Sequence, residues 1–391
     1  MSFKNSENVS AHLRVGGSLL TIRAIQASCV LVVSIVLIAG LWPFHSPPNE
    51  VGWLHGTSGL WFGRHGTAFS TESFGSTRTA NSSCSLELWV QPDSADTEGT
   101  IVAFDSSPDP RWPFALRQHH NFLDVRLSAI GEAGTAKRAE LLLDGVFQTA
   151  DRKFIVLTSD GGESIAYVNG RPIGRSSTAG FACSDLQGRL ILANSTVDDS
   201  WSGKITGMAV YDRGLTPQQI ELHFENRAPA SRPELDDKER PIALYLLDEG
   251  SGTIVHNRIG SALNLVIPKR YSVMHAVFLQ SVWAQAAEAS NPWRRASQWK
   301  SFALNVAGFV PLGFLFMAYF LVVKQVPRPM ITTVVLGFAI SLTIEIAQRF
   351  LPTRDSGAMD LVTNTLGTLI GAICFRLLWW WVPALNTKCV R

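Results

Sequence analysis

Six polar residues sit in or beside apolar stretches near the C-terminus: Asn305, Glu345, Gln348, Arg354, Asp360 and Asn364. Glu345 and Gln348 are one helical turn apart, and so are Asp360 and Asn364, so each pair shares a helix face. A carboxylate inside hydrocarbon is expensive and should face protein or water. The economical arrangement is one polar pocket with Arg354 above it as counter-ion. Such a pocket could hold the headgroup of an amphiphile. It could also do acid–base work on a phosphate-bearing lipid, with Glu345 or Asp360 as base and Arg354 on the phosphate. The competing reading is that these groups bond one another and lock the helices together. A nucleophile–base set is not visible: the stretch has no His, and Ser341 and Thr343 have no base near them in sequence. The residues therefore lean towards binding rather than catalysis.

Four apolar stretches must position these groups: Ala24–Trp42, Phe302–Val323, Met330–Ala347 and Leu361–Val382. Each meets the roughly 20 residues a helix needs to cross a bilayer. Glu345 and Arg376 are the charged exceptions, and Arg376 can snorkel from near a helix end. A basic segment (Lys4, Arg14, Arg23) precedes the first stretch. No A-x-A site follows it, which favours a retained anchor over a cleaved signal peptide. Basic residues before the first span and an even number of spans place both termini in the cytoplasm. Asn305, Glu345, Gln348, Asp360 and Asn364 then fall at the outer ends of their helices, with Arg354 in the loop above them.

Of the 391 residues 17% are charged, against about 25% for a soluble protein. The net charge of +2 gives no electrostatic case for nucleic acid. Twelve Trp are present, several at stretch ends, where amphipathic rings favour the headgroup layer. The five cysteines form no CxxC or Cys/His cluster, so no structural zinc site is expected. Cys84 and Cys183 are the cysteines of the region placed outside, and a disulfide between them is expected.

Between about Gly52 and Pro268 the pattern changes to period two, as in Ser85–Gln91 and Phe122–Leu127. Asp160-Gly161-Gly162 and Asn169-Gly170 are hairpin signals. Many short strands at this spacing indicate an antiparallel β-sandwich. Ser85–Pro92 (SLELWVQP), Tyr167–Gly170 (YVNG) and Lys204–Leu215 (KITGMAVYDRGL) resemble the laminin-G or concanavalin-A-like jelly roll, a fold that hosts lectins, glycosidases and spacers. A stretch like Ile242–Gly252 usually opens that domain. Here it comes late, so the domain reads as circularly permuted, with its two ends close together. No strand carries a paired-carboxylate run of the kind glycosidases use. Glu87 reads as a solvent-facing strand residue. Asp105, Asp124 and Asn194 are candidate ligands for a structural calcium, the only cofactor the region suggests. Trp61, Trp89, Trp112 and Trp201 could stack on sugars, Trp89 being the most core-like.

Asn305-x-x-x-Phe309-x-Pro311-x-Gly313, Glu345-x-x-Gln348, Arg354 and Asp360-x-x-x-Asn364-x-x-Gly367-x-x-x-Gly371 resemble the VanZ-like membrane family, named after a protein linked to glycopeptide resistance. The resemblance covers about Trp293–Leu378. The family often has a second acid near the middle of the Arg354–Asp360 loop; here Gly357 occupies that place and Asp355 stands two residues earlier. Pro311, Gly313, Gly367 and Gly371 read as helix-packing positions.

The expectation is a multidomain membrane protein: a four-span α-helical transmembrane bundle plus an antiparallel β-sandwich. Its parts are a cytoplasmic segment (1–23), a first transmembrane helix (24–42), an extracytoplasmic sandwich (52–268), a linker with an interfacial helix (269–301), a VanZ-like three-helix region (302–382) and a cytoplasmic tail (383–391). The expected location is the cytoplasmic membrane. The expected partners are a membrane lipid or lipid-linked glycan, as in cell-wall or exopolysaccharide assembly, and a glycan or protein outside. A lipid-processing membrane enzyme and an anchored adhesion module are the alternatives.

Overall fold

The computed structural model describes residues 4–75, 83–105, 114–130, 136–160, 162–177, 181, 183–196, 199–226, 241–274, 292–354 and 356–381. The chain divides into two compact units. One comprises residues 1–45 and 276–391, and the other comprises residues 46–275.

The second unit is the sandwich. Its first sheet runs β1 (Val51–Trp53), β2 (Leu60–Phe62), β13 (Gly203–Tyr211), β4 (Cys84–Pro92), β9 (Lys153–Ser159), β10 (Ser164–Val168) and β11 (Arg171–Ser176). The second runs β15 (Ile254–Val255), β16 (Leu265–Val266), β3 (Ala68–Ser70), β12 (Leu190–Leu192), β5 (Glu98–Phe104), β6 (Phe114–His119), β7 (Phe122–Ile130) and β8 (Ala136–Leu143). Every ladder between these strands is antiparallel. Side chains from the inner faces, among them Phe62, Leu88, Phe104, Phe114, Leu157 and Met208, make one continuous apolar core.

The late Ala243–Tyr245 segment forms β14, which pairs with Met208–Val210 of β13. The two ends of the domain lie side by side. Pro48 bridges Arg270, and Tyr271 N donates to Pro47 O at 3.0 Å. The unit therefore extends beyond 52–268 at both ends, because these flanking segments hold each other.

The strand alternation misleads at β4, which is buried along almost its whole length. Its outer face is covered by α2 (Pro217–Glu225), started by a capping box between Thr216 and Gln219 with Pro217 at the first helical position. The helix lays Ile220 and Phe224 over Trp89, Phe154 and Tyr211, a second apolar layer outside the sheet. Glu87 is thus not solvent-facing. It is fully buried, accepts from Tyr211 Oη at 3.2 Å, and lies 2.8 Å from His223 Nδ1 on α2. The expected disulfide is also not formed. Cys84 and Cys183 are thiols, and Cys183 Sγ donates to Ser83 O at 3.0 Å.

Among the described residues, the first unit holds four helices long and apolar enough to cross a membrane: α1 (Lys4–Leu41, apolar from Thr21), α3 (Pro292–Ala318, continued by a π-turn at Tyr319–Val323), α4 (Pro329–Gln348) and α5 (Ala358–Trp381). Residues 275–291 of the expected linker lie outside the described residues. Outward-facing positions carry Val30, Leu31, Ile35, Val335 and Val362, an apolar belt that a water-soluble surface would not sustain. Trp42 and Trp299 are exposed at one end of the bundle, Trp380 and Trp381 at the other, as membrane-interface girdles require. α3 and α5 approach closely because Gly313, Gly367 and Gly371 lie at their contact. A Cβ on Gly367 or Gly371 would run into the backbone carbonyl of Val306 or Val310, and one on Gly313 into that of Thr368. Pro311 lies within α3. α1 packs Val32 and Val36 against Phe309, Leu312 and Ile344.

Candidate functional site

The six polar residues of the bundle gather at one end, where α1 finishes, α3 and α5 begin and α4 stops. Asn305 Nδ2 donates to Asp360 Oδ1 at 2.7 Å, tying α3 to α5. Asn364 Nδ2 donates to Ser341 Oγ at 2.9 Å, tying α5 to α4. Gln348 Nε2 donates to Gly40 O at 2.9 Å, tying α4 to α1. Each bond therefore closes a different helix pair.

Glu345 is almost completely buried. Its Oε2 accepts from Gly357 N at 2.9 Å, and the Ser356 side chain bonds the same carboxyl. The acid holds the loop that leads into α5. Arg354 does not act as its counter-ion. The exposed guanidinium donates from Nε (3.2 Å) and Nη2 (2.9 Å) to Trp42 O, closing the end of α1. Burying an acid beside an exposed cation would demand precise pairing, whereas a free carbonyl at a helix end is a ready acceptor. Asp355 lies outside the described residues. Two acceptors in the cluster stay without a bond, Asn364 Oδ1 and Gln348 Oε1.

In the sandwich, two of the candidate calcium ligands, Asp124 and Asn194, are otherwise engaged. Arg117 donates to Asp124 Oδ2 at 3.1 Å and to both oxygens of Asp199, so a guanidinium stands where a cation would sit. Asn194 bonds Tyr271 Oη and the backbone at Ser195 and Asp199. Burial, reinforced by Glu140, pushes the Asp124 carboxyl up to about 6 against the pull of Arg126 and Arg117. Asp105 N donates to Arg189 O at 2.9 Å.

The four tryptophans separate. Trp201 is fully buried and donates to Gln118 Oε1 at 2.8 Å. Trp89 is buried between Phe154 and Phe224, with the Arg152 guanidinium 4.4 Å from its ring centre. Trp112 lies outside the described residues. Trp61 alone among the other three is exposed, at 38%. The register places Gly52 opposite Trp61, Trp61 opposite Lys204 and Lys204 opposite Gln91, so these four form one row on one sheet face. Trp61 Nε1 donates to Asp93 Oδ2 at 3.2 Å, which fixes the ring.

Residues 247–379 match the VanZ/LLP1 family model, and residues 65–221 match the concanavalin A-like lectin/glucanases superfamily. The chain joins a VanZ-like domain to a concanavalin A-like domain. The VanZ/LLP1 match begins inside the sandwich, taking in β15 and β16, whereas the VanZ-like helices themselves start at Pro292. No curated protein matches the chain. Among solved structures, a candidate carbohydrate-binding protein of Bacteroides ovatus is 16% identical with a TM-score of 0.37, over 58% of this chain and 61% of that one. The binding domain of Paraclostridial Mosquitocidal Protein 1 is 12% identical with a TM-score of 0.33, over 46% of each chain. The binding domain of botulinum neurotoxin DC, solved in complex with rat synaptotagmin II, is 14% identical with a TM-score of 0.34, over 46% of each chain. The chain thus spans less than two thirds of each of these.

Proposed function

We propose that this multi-pass membrane protein binds glycan outside the cytoplasmic membrane through the concanavalin A-like domain, with the VanZ-like helices holding it there. The observation that carries this reading is the exposed Trp61 in a row with Lys204 and Gln91, its ring fixed by Asp93. Sugars present apolar C–H faces that stack on an indole and hydroxyls that bond amide, carboxylate and ammonium groups. Gly52 in the same row leaves the platform open on that side, since a Cβ there would meet nothing within 4 Å. The test is a glycan array probed with the full chain in nanodiscs. Binding to a defined set of cell-surface glycans, weakened at least about tenfold by Trp61→Ala at unchanged melting temperature, supports the reading. Equal binding by Trp61→Ala refutes the assigned face.

A second reading concerns the bundle. Its polar groups bond neighbouring side chains and backbone groups across the helices, which supports a role in locking them together. The two unbonded acceptors, Asn364 Oδ1 and Gln348 Oε1, are buried, so a ligand would have to enter the cluster with donors of its own, as a hydroxyl-bearing headgroup could and a phosphate could not. Mass spectrometry of co-purified lipid tests this: an amphiphile retained by the wild type should be lost from Asn364→Ala and Gln348→Ala proteins of normal abundance.

A further inference from the structure

Glu98, His119 and His120 converge at the rim of the second sheet. The pairing of β5 with β6 sets Glu98 directly opposite His119. Adjacent residues of a strand should point to opposite faces, yet the next residue reaches the same carboxylate. β6 and β7 are joined by the two residues His120 and Asn121, because His119 pairs with Phe122. His120 has φ +53°, at the first position of this tight connection. Glycine is the usual residue for a left-handed first position in a two-residue hairpin. The left-handed turn swings the His120 ring back across the strand end. Glu98 Oε1 consequently lies 3.4 Å from His119 Nδ1 and 2.8 Å from His120 Nε2.

The turn is held from beneath. Gln118 is fully buried, and its Nε2 donates to the carbonyls of Ser94, Ala95 and His120 at 3.1, 3.2 and 3.1 Å. Trp201 Nε1 fixes the other end of that amide at 2.8 Å. One buried side chain therefore clamps both the His120 turn and the turn that leads into Glu98. Phe147 N adds a bond to Asn121 O at 2.9 Å. Three donor atoms are thus preorganised on rigid backbone, the condition for a metal site.

We propose that Glu98, His119 and His120 form a surface binding site for a late first-row divalent cation such as zinc. One ligand atom from each residue lies within 4.8 Å of the others. Tetrahedral zinc with ligands near 2.0–2.1 Å needs them about 3.3 Å apart. The Glu98–His119 separation already fits. The Glu98–His120 separation needs to open by roughly half an ångström, within the swing of an exposed glutamate side chain. Two imidazoles with one carboxylate select zinc, copper or nickel over calcium or magnesium, which take oxygen ligands. Three protein ligands leave one position for water or for an oxygen of a bound partner.

The test uses the full chain purified in detergent without a polyhistidine tag, stripped with chelator and titrated with zinc chloride by calorimetry. Bound metal is then counted after gel filtration. The site predicts one zinc per chain that is absent from the Glu98→Gln/His119→Asn/His120→Asn variant. It predicts more than tenfold weaker binding for His119→Asn or His120→Asn alone, and unchanged binding for His256→Ala, a pair with Glu249 elsewhere on the surface. Glu98→Gln, a near-isosteric change at an exposed position, serves as the single variant least able to disturb folding and should weaken zinc binding by the same criterion. Equal zinc stoichiometry in the triple variant, no zinc bound by the wild type, or calcium bound in preference to zinc would each overturn the proposal.

Discussion

Replacing Glu87 with alanine should destabilise the sandwich far more than an exposed strand substitution would. Glu87 Oε2 is the shared partner of Tyr211 Oη at 3.2 Å and His223 Nδ1 at 2.8 Å, and Glu87 and His223 are both buried. Alanine withdraws that acceptor from both groups and opens a void between α2 and the sheet. Each buried polar group that loses its partner costs about 1–3 kcal/mol, so the expected loss is about 2–5 kcal/mol. For a domain of this size, 1 kcal/mol corresponds to roughly 2–4 °C, which puts the fall in melting temperature at roughly 4–20 °C. Glutamine retains one acceptor oxygen and should cost less. The assay is thermal unfolding followed by tryptophan fluorescence, with Trp89 beside the site as reporter. Glu87→Ala, His223→Ala and the double variant complete a cycle, and the two single losses should overlap strongly rather than add. A change within about 0.5 kcal/mol for Glu87→Ala, the range typical of surface positions, would refute the buried pairing.

Three further outcomes are expected. Glu345→Ala should lower the melting temperature of the detergent-solubilised chain by several degrees, because Gly357 N and Ser356 lose their acceptor, whereas Glu345→Gln should cost little; equal effects would mean the bond to Gly357 does not matter. Gly371→Val should disrupt the packing of α3 on α5 and reduce membrane abundance, since the Val310 carbonyl it would strike belongs to helix backbone and cannot swing away; normal abundance and stability would contradict that close approach. Burial raises the Asp124 carboxyl to about 6, so the stability tied to its bound proton is full below the ordinary aspartate range and is lost as pH rises through about 6. Wild type should therefore gain melting temperature relative to Asp124→Asn on acidification from pH 7.5 to 5, measured by differential scanning fluorimetry; parallel curves would refute the perturbed acid.

The four spans and the sandwich class were legible because both rest on periodicity and run length, which are local signals. The late position of the Ala243–Tyr245 strand was legible through the resemblance to the laminin-G fold, as a recognisable segment out of its usual order. Glu87 was misread because its burial depends on α2, 130 residues later, and β4 by itself gives no sign of a helix on its outer face. The clue lay in α2, whose Ile220, His223 and Phe224 fall on one side. The bundle's polar residues were found by the cost of burying them. Their partners were not, because Arg354 prefers the carbonyl at Trp42, a backbone group that no side-chain pattern reveals. Glu98, His119 and His120 escaped notice because only strand register and one left-handed residue bring them together.

We propose that the concanavalin A-like domain lies outside the cytoplasmic membrane and that both termini lie in the cytoplasm. Alkaline phosphatase, active only outside the cytoplasmic membrane, tests it directly when fused after Ala230 and, separately, at Arg391. An active fusion at Ala230 and an inactive one at Arg391 are expected. An inactive fusion at Ala230 with an active one at Arg391 would invert the topology and contradict an extracytoplasmic glycan-binding role.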